Sequence, residues 1–248
     1  VPGIETITPL DNAGVLALTE RPEHLIVVGG SYIGLELGQI FARLGSKVSI
    51  IHRSDRLAER EDAHVSSIIA DIMRAEAIDL RLNAAIASVG RSMRGVLVTL
   101  EDGTEIAGSH ILFATGRVPN TDRLNLDSID LKTDARGYIQ TDARLRTGVP
   151  GVWALGDVNG RGAFTHTSYH DHEIVLAARD GRTDLYQWQG TDKRTTTYAM
   201  FTDPPLGRVG LNRREAQNLT AQGRNFLIAE IPMERVSRAK EEGETTGL

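Results

Sequence analysis

The fold is constrained most strongly by a glycine-rich turn that follows a short apolar segment and precedes an amphipathic helix. Residues 25–28 are apolar, Gly29, Gly30 and Ser31 interrupt the run, and apolar residues then recur at helical spacing. The predicted apolar face of this helix consists of Ile33, Leu37, Ile40, Phe41 and Leu44. Gly45 follows where a left-handed C-cap is common, and residues 47–51 predict a second strand. Such a βαβ unit places both strands in one parallel sheet, so we predict an α/β, Rossmann-like fold with its ligand edge at Gly29.

The following residues continue the pattern of helices and strands, and the residue composition then changes. A second helix is predicted from Asp62, its N-cap, and further strands are predicted near residues 78–82, 86–89, 96–100 and 110–114. The dipeptide Asp102-Gly103 favours a tight hairpin, which predicts an antiparallel β appendage on the parallel sheet. Beyond Pro119 the chain becomes rich in polar turns, with a buried strand expected at 151–155 and extended structure at 195–211. A domain boundary is therefore expected near residue 118.

Composition excludes several classes of protein. The 28 basic and 33 acidic side chains give a net charge of −5 without long blocks of one sign, so nucleic acid and membrane surfaces are not expected partners. No apolar run reaches the roughly 20 residues of a membrane-spanning helix, which predicts a soluble, cytoplasmic protein. The absence of cysteine removes disulfides and cysteine nucleophiles from these 248 residues. Any redox chemistry here must therefore use a bound cofactor.

The glycine-rich turn carries a dinucleotide-binding fingerprint with one departure. Gly29, Ser31 and Gly34 occupy its three glycine positions, with Gly30, Tyr32 and Ile33 between them. In this fingerprint the glycines allow a sharp turn, close approach of the pyrophosphate and close packing of helix on strand. Serine at the second position adds a hydroxyl that could donate to phosphate. The structural alternative is a glycine turn that serves packing alone, but the flanking strand and helix favour ligand binding.

The end of the second strand predicts which nucleotide is bound. A carboxylate there accepts hydrogen bonds from a ribose 2′-hydroxyl, whereas arginine pairs with a 2′-phosphate. The strand is followed by His52 and Arg53, neither of them acidic, and Arg56 and Arg60 are nearby. This pattern favours NADP over NAD; the alternative is a solvated basic loop.

At this point four ordered motifs resemble one family. They are 27–36 (VVGGSYIGLE), 114–121 (ATGRVPNT), 152–158 (VWALGDV), and 201–205 (FTDPP) with 209–211 (VGL). Together they are similar to the pyridine nucleotide–disulfide oxidoreductases, which are FAD-dependent enzymes. The motifs span most of the chain, and chance would have to reproduce both their sequences and their order.

The resemblance implies specific nicotinamide-dinucleotide contacts. It implies that Tyr32 gates the nicotinamide side of the flavin and that Glu36 contacts the nicotinamide. It also implies that His52 and Arg53 lie at the adenosine ribose, that Val89 lies beside the adenine, and that Gly116 lies near the bound cofactor. For Val89, an ordinary buried strand valine is the alternative. The full predicted NAD(P) set is Gly29, Gly30, Ser31, Tyr32, Ile33, Gly34, Glu36, His52, Arg53, Val89 and Gly116.

A second set of residues is implied to contact FAD. Asp157 would accept hydrogen bonds from the ribityl chain, and the segment Ala163, Phe164, Thr165 and His166 would pass the flavin ring at the start of a helix. Without the resemblance, Gly156-Asp157 would be interpreted as a simple turn. His166, His170 and His172 with Asp171 and Glu173 could also indicate a metal site, but spacing alone makes few such sites, so no metal is expected.

The resemblance also implies a domain order. Residues 1–21 would be a connector, 22–117 an NAD(P)-binding domain, 118–192 the second part of an FAD-binding domain and 193–248 the beginning of an α+β dimerisation domain. We therefore expect an internal part of a longer, homodimeric enzyme, because an N-terminal FAD segment, a redox cysteine pair and a C-terminal end are missing from the sequence.

Three functions remain open for such a chain. The first is part of an enzyme that passes hydride from NADPH to FAD and on to a disulfide, metal ion or similar acceptor. No catalytic residue is expected in this chain, where Tyr32 and Glu36 are the gate and the contact on the nicotinamide side. The second is a non-catalytic NAD(P)-binding module, or a partial domain that binds no ligand and serves only as an interaction surface. The third is a cysteine-less flavoprotein that acts as a transhydrogenase or quinone reductase.

Overall fold

The computed structural model describes residues 1–182 and 190–248, so residues 183–189 of the predicted FAD segment lie outside the described residues. The chain divides into two units. The first unit comprises Val1–Thr115, Ala199–Gly207 and Leu211–Leu248, and the second comprises Gly116–Tyr198 and Arg208–Gly210. Among the described residues, no helix has both the length and the apolarity needed to cross a membrane.

The elements follow the α/β alternation expected from the sequence. The strands are β1 (His24–Val28), β2 (Lys47–Ile51), β3 (Asp79–Arg81), β4 (Ile86–Ser92), β5 (Gly95–Leu100), β6 (Glu105–Gly108), β7 (His110–Phe113), β8 (Thr197–Met200) and β9 (Leu206–Val209). The helices are α1 (Asn12–Leu16), α2 (Tyr32–Arg43), α3 (Ala63–Ala75), α4 (Thr165–Arg179), α5 (Arg213–Thr220) and α6 (Ser237–Glu242).

A four-stranded parallel sheet in the order β3-β2-β1-β7 forms the centre of the first unit. β1 lies between two neighbours, and Leu25, Ile26 and Val27 are fully buried. A strand that is covered on both faces needs apolar residues without alternation, which explains the continuous apolar run. The predicted parallel βαβ unit is confirmed.

The antiparallel appendage is a three-stranded sheet in the order β4-β5-β6. Gly103 has a φ of +84°, and Asp102 accepts a hydrogen bond from Thr104 N at 2.8 Å, so the predicted turn at Asp102-Gly103 connects β5 to β6. β6 was not predicted because its four residues alternate too briefly to give a pattern. The fold class is otherwise as expected.

The buried face of α2 agrees with the prediction only in part, since Leu37 and Phe41 are buried as expected. Ile40 and Leu44 are 47% and 61% exposed, whereas Gly34, Leu35 and Gly38 are buried. Two glycines on this face let the helix approach the sheet closely, so the glycine-bearing side faces inward and part of the apolar face turns outward. The predicted cap is present: Gly45 has a φ of +92° and donates to Ala42 O.

In the second unit, a short 3-10 turn at Gly156–Asn159 precedes α4. The strand predicted at residues 151–155 is wrong. Trp153 makes only an isolated bridge to Arg146, and Ala154 alone is buried. Gly151 has a φ of +77° and belongs to the turn before this segment, so the extended part is shorter than predicted.

The partly buried His24 at the start of β1 predicts that the stability of the protein depends on pH. His24 Nε2 lies 3.0 Å from Ser49 Oγ, and burial, followed by the nearby Lys47, lowers the pKa of His24. The unfolded chain therefore binds this proton more readily than the folded chain, and the free energy of unfolding should fall as the pH drops below the unfolded pKa of about 6.5. Urea unfolding at a series of pH values should show a shallower fall in this range for His24→Gln. The exposed His64→Gln should keep the original slope; an unchanged slope in His24→Gln would contradict the assignment.

Candidate functional site

The glycine turn has backbone geometry that excludes side chains. Gly29 has a φ of +114°, and a Cβ on it would lie 2.5 Å from Ala114 O. A Cβ on Gly34 would lie 2.0 Å from Gly29 O. The first and third fingerprint positions therefore need glycine for the turn and for helix packing, as expected from the sequence.

This turn leads directly into the first turn of α2. The first intrahelical hydrogen bond runs from Leu35 N to Ser31 O at 3.0 Å, so the amides of Tyr32, Ile33 and Gly34 precede the internal bonds of the helix. Ser31 is exposed and is the N-cap of α2, but its side chain makes no cap hydrogen bond. A helix N-terminus at the carboxyl end of a parallel sheet is suited to bind an anion.

Gly30 makes two hydrogen bonds to the loop that follows β2. Its N–H donates to His52 Nδ1 at 3.2 Å, and its carbonyl accepts from Ala58 N at 2.8 Å. A Cβ on Gly30 would lie 2.5 Å from the fully buried Leu57 and 3.0 Å from His52. The loop of residues 52–61 is thus anchored on the glycine turn, and Gly30 is needed for this close packing.

The loop brings charges of both signs to the end of β2. Arg53, the residue after His52, is exposed. A carboxylate is also present: Glu59 Oε1 lies 3.0 Å from His52 Nε2. A hydrogen bond from the Ser54 hydroxyl, and then His52 and Arg53, lower the pKa of Glu59 against the opposing effect of partial burial. Sequence reasoning missed Glu59 because it is brought to the strand end by an irregular loop that has no periodic pattern.

Tyr32 and Glu36 lie on successive turns of α2. The Tyr32 hydroxyl donates to Glu61 Oε1 at 3.4 Å, and Glu61 is 5% exposed. Glu36 Oε1 accepts a hydrogen bond from Phe201 N at 2.7 Å. Both side chains are therefore held by partners in the same unit.

Other polar residues of α2, which the sequence did not single out, hold the segment after Phe201. Gln39 is 3% exposed; it donates to Asp203 O at 2.9 Å and accepts from Asp203 N at 2.8 Å. Arg43 binds both the Asp203 carboxylate, at 2.5 Å, and Glu76, at 2.6 Å. The helical spacing of Glu36, Gln39 and Arg43 places this polar stripe on one face of the helix.

Val89 and Gly116, which were also predicted to lie near the cofactor, have different surroundings. Val89 is 5% exposed in an apolar cluster of the antiparallel sheet, and its N–H donates to Pro2 O at 2.9 Å. These are the contacts of the buried strand valine that the sequence left as an alternative. Gly116 begins the second unit, and nothing lies within 4 Å of a Cβ placed on it.

In the second unit, Arg117 joins two of the residues predicted to contact FAD. Its Nη1 donates to Asp157 Oδ2 at 2.6 Å and to Ala163 O at 3.2 Å. About half of the Arg117 and Asp157 side chains is exposed. Asp157 and the start of α4 are thus brought together, with the carboxylate accessible to solvent.

Asp171 stabilises the 3-10 turn that carries Asp157. Its carboxylate is fully buried and accepts hydrogen bonds from Gly156 N at 2.9 Å, Asn159 Nδ2 at 2.9 Å and Arg194 Nη1 at 2.6 Å. The buried ion pair fixes the 3-10 turn that carries Asp157 against α4. The sequence named Asp171 only in the metal alternative, because nothing in the local pattern indicates that it is buried.

The remaining predicted FAD residues form the start of α4. Phe164 is the N-cap, Thr165 is exposed, and the Phe164 ring stacks on His166 and Tyr198 with centroids 5.4 Å apart in each pair. His166 Nε2 lies 2.6 Å from Thr197 O, a contact in which the ring nitrogen donates. Within residues 1–182 and 190–248, no three His, Cys, Asp or Glu side chains are grouped so that they could hold a metal ion.

Comparison with known proteins identifies relatives of the chain. The pyridine nucleotide-disulphide oxidoreductase family matches residues 1–171. The whole chain is 34% identical to the probable pyridine nucleotide-disulfide oxidoreductase RclA of Escherichia coli and 36% identical to a mercuric reductase of Streptomyces lividans, and it covers 55% and 51% of those proteins. A solved Cu(II) complex of the HOCl-induced flavoprotein disulfide reductase RclA from Escherichia coli superposes with a TM-score of 0.88 at 33% identity, over the whole chain and 56% of the solved one. The chain therefore spans about half the length of these relatives.

Proposed function

Because this chain belongs to the pyridine nucleotide-disulphide oxidoreductase family, we propose that it forms the nicotinamide-dinucleotide-binding part, and a portion of the FAD-binding part, of a flavoenzyme. In this assignment residues 22–117 bind NADPH, residues 118–192 contribute to FAD binding, and residues 193–248 begin a dimerisation domain. The complete enzyme, a homodimer, would pass hydride from NADPH to flavin and then to an acceptor.

The observation that carries the proposal is the tight glycine turn at Gly29, which leads into α2. Glycine at positions 29 and 34 permits this tight turn, because a Cβ at either position would overlap backbone atoms. The adjacent amides of α2, which precede its internal hydrogen bonds, suit a pyrophosphate. Ser31 replaces the second glycine, and its exposed hydroxyl adds a donor for phosphate. Tyr32 and Glu36 follow on the same helix and would act at the nicotinamide end.

The second unit offers groups that fit the ribityl chain of FAD. Asp157 presents an accessible carboxylate, which accepts hydrogen bonds from hydroxyl groups, and its loop is fixed by the buried Asp171. Ala163, Phe164, Thr165 and His166 would lie along the flavin at the start of α4, where the helix dipole favours negative charge. When bound, FAD supplies the redox chemistry, and the protein supplies binding and alignment.

The proposed acceptor is a metal ion or a disulfide. Two relatives support this class by name: a mercuric reductase, and a flavoprotein disulfide reductase solved as a Cu(II) complex. Because no cysteine occurs in these 248 residues, transfer to such an acceptor would need groups from elsewhere in the enzyme.

Calorimetric titration of the 248-residue chain with NADPH and NADH tests the proposal. Saturable binding of one nucleotide per chain, tighter for NADPH, is the expected result. The absence of binding to both would contradict the proposed function. Binding without hydride transfer to FAD in the complete enzyme would instead support a non-catalytic binding module.

The NADPH preference is tested by Arg53→Glu. Loss of a charge-assisted hydrogen bond to a 2′-phosphate should weaken NADPH binding by roughly ten- to hundredfold and leave NADH binding less affected. Arg123→Glu, at an exposed position of the second unit, makes the same change in net charge and should leave both affinities unchanged. If Arg53→Glu and Arg123→Glu weaken NADPH binding equally, Arg53 does not contact the 2′-phosphate and is an ordinary residue of a solvated loop.

A further inference from the structure

A carboxylate from the following loop, Glu59, lies beside His52 just after the end of β2. In dinucleotide-binding folds, the residue about 20 positions after the glycine turn faces the adenosine ribose, and here that position is held by His52 and Arg53. Glu59 Oε1 lies 3.0 Å from His52 Nε2, so a carboxylate lies beside the residue that precedes Arg53.

The loop places this carboxylate beside the ring of His52. Gly30 N–H donates to His52 Nδ1, and the other ring nitrogen, Nε2, is the atom that lies beside Glu59 Oε1. The His52 side chain is only 11% exposed, whereas that of Glu59 is 48% exposed. A carboxylate has about four acceptor sites. One oxygen of Glu59 lies against His52, and the exposed part of the side chain can therefore accept a hydrogen bond from a ligand.

The charge of Glu59 is well defined near neutral pH. The Ser54 hydroxyl, and then His52 and Arg53, lower the pKa of the carboxyl, so it is ionised. An ionised carboxylate accepts a hydrogen bond from a ribose 2′-hydroxyl and repels a 2′-phosphate. Arg53 acts in the opposite direction on the same two ligands.

We propose that Glu59 is a specificity-determining residue that opposes Arg53, so that the site accepts NADH as well as NADPH. This inference rests on the proposed nucleotide-binding function. It differs from the usual pattern because the carboxylate comes from a loop seven residues beyond His52 rather than from the end of the strand.

The test is calorimetric titration of wild type and Glu59→Gln with four ligands: NADPH, NADH, 2′,5′-ADP and 5′-AMP. Removing the charge should raise the ratio of NADPH affinity to NADH affinity by about three- to fivefold, as fits a half-exposed charge, and the effect should shrink at high salt. The two short ligands should show the same change, because they differ only in the 2′-phosphate. Glu20→Gln, at an exposed glutamate, removes the same charge and should leave the ratio unchanged.

The outcomes separate this inference from the proposed function. If both nucleotides bind wild type but Glu59→Gln leaves the ratio unchanged, or weakens both equally, Glu59 has only a positioning role and the inference is wrong. An equal change in Glu20→Gln would assign the effect to net charge and would also overturn it. If neither nucleotide binds wild type, the proposed function itself fails and the inference fails with it.

Discussion

Asp171→Asn should destabilise the second unit by about 3 to 5 kcal/mol, because it removes one charge of a buried ion pair. Arg194, which is 15% exposed, would lose its anionic partner, and the amide group of asparagine would oppose the donors of Gly156 and Asn159. Urea unfolding followed by tryptophan fluorescence measures the effect, since both tryptophans occur between residues 116 and 198.

Asp180→Asn is the matched control for this prediction. Asp180 follows the end of α4, and its ion pair with Arg179 is exposed, so its loss should change stability by less than about 1 kcal/mol. Similar unfolding midpoints for the two variants would show that the Asp171 network does not stabilise the second unit.

Gly34→Ala should destabilise the first unit by about 3 kcal/mol or more and abolish nucleotide binding. The added Cβ would lie 2.0 Å from Gly29 O, and backbone rather than a flexible side chain occupies that space. α2 would have to move away from β1, which would also displace the amides proposed to bind pyrophosphate. Urea unfolding followed by circular dichroism, together with NADPH calorimetry, measures both effects.

Two other glycines provide graded controls. A Cβ on Gly38, on the same helix, would lie 3.1 Å from the flexible end of Ile50, so Gly38→Ala should cost less. Nothing lies within 4 Å of a Cβ on Gly90 in β4, and Gly90→Ala should leave stability within about 1 kcal/mol. An order of effects other than Gly34, Gly38 and Gly90 would contradict the packing argument.

The regular elements of the first unit could be predicted from the sequence because each follows from local pattern. The apolar run of β1, the cap at Gly45 and the turn at Asp102-Gly103 are determined by nearby residues. The orientation of α2 could not be predicted from hydrophobicity, because glycine adds little to an apolar pattern yet allows the closest approach to the sheet. Exposed Ile40 illustrates this error.

The candidate site was predictable where it follows a motif and not where it depends on long-range contacts. Gly29 and Gly34 are given by the fingerprint, and their backbone geometry is as expected. The support from Asp171 and Gln39 comes from partners distant in the chain, 23 residues away at Arg194 and 164 away at Asp203. Neither contact leaves a local signal, because burial of a polar residue depends on tertiary packing.

The central claim is that the turn at Gly29 and the loop after β2 bind a nicotinamide dinucleotide. The most direct test is a titration of the ¹⁵N-labelled chain with NADPH, followed by the backbone amide resonances. The account predicts that the largest shifts occur at Ser31, Tyr32, Ile33 and Gly34, with a second group at His52 and Arg53. Saturable binding that leaves these amides unmoved, or no binding at all, would contradict it.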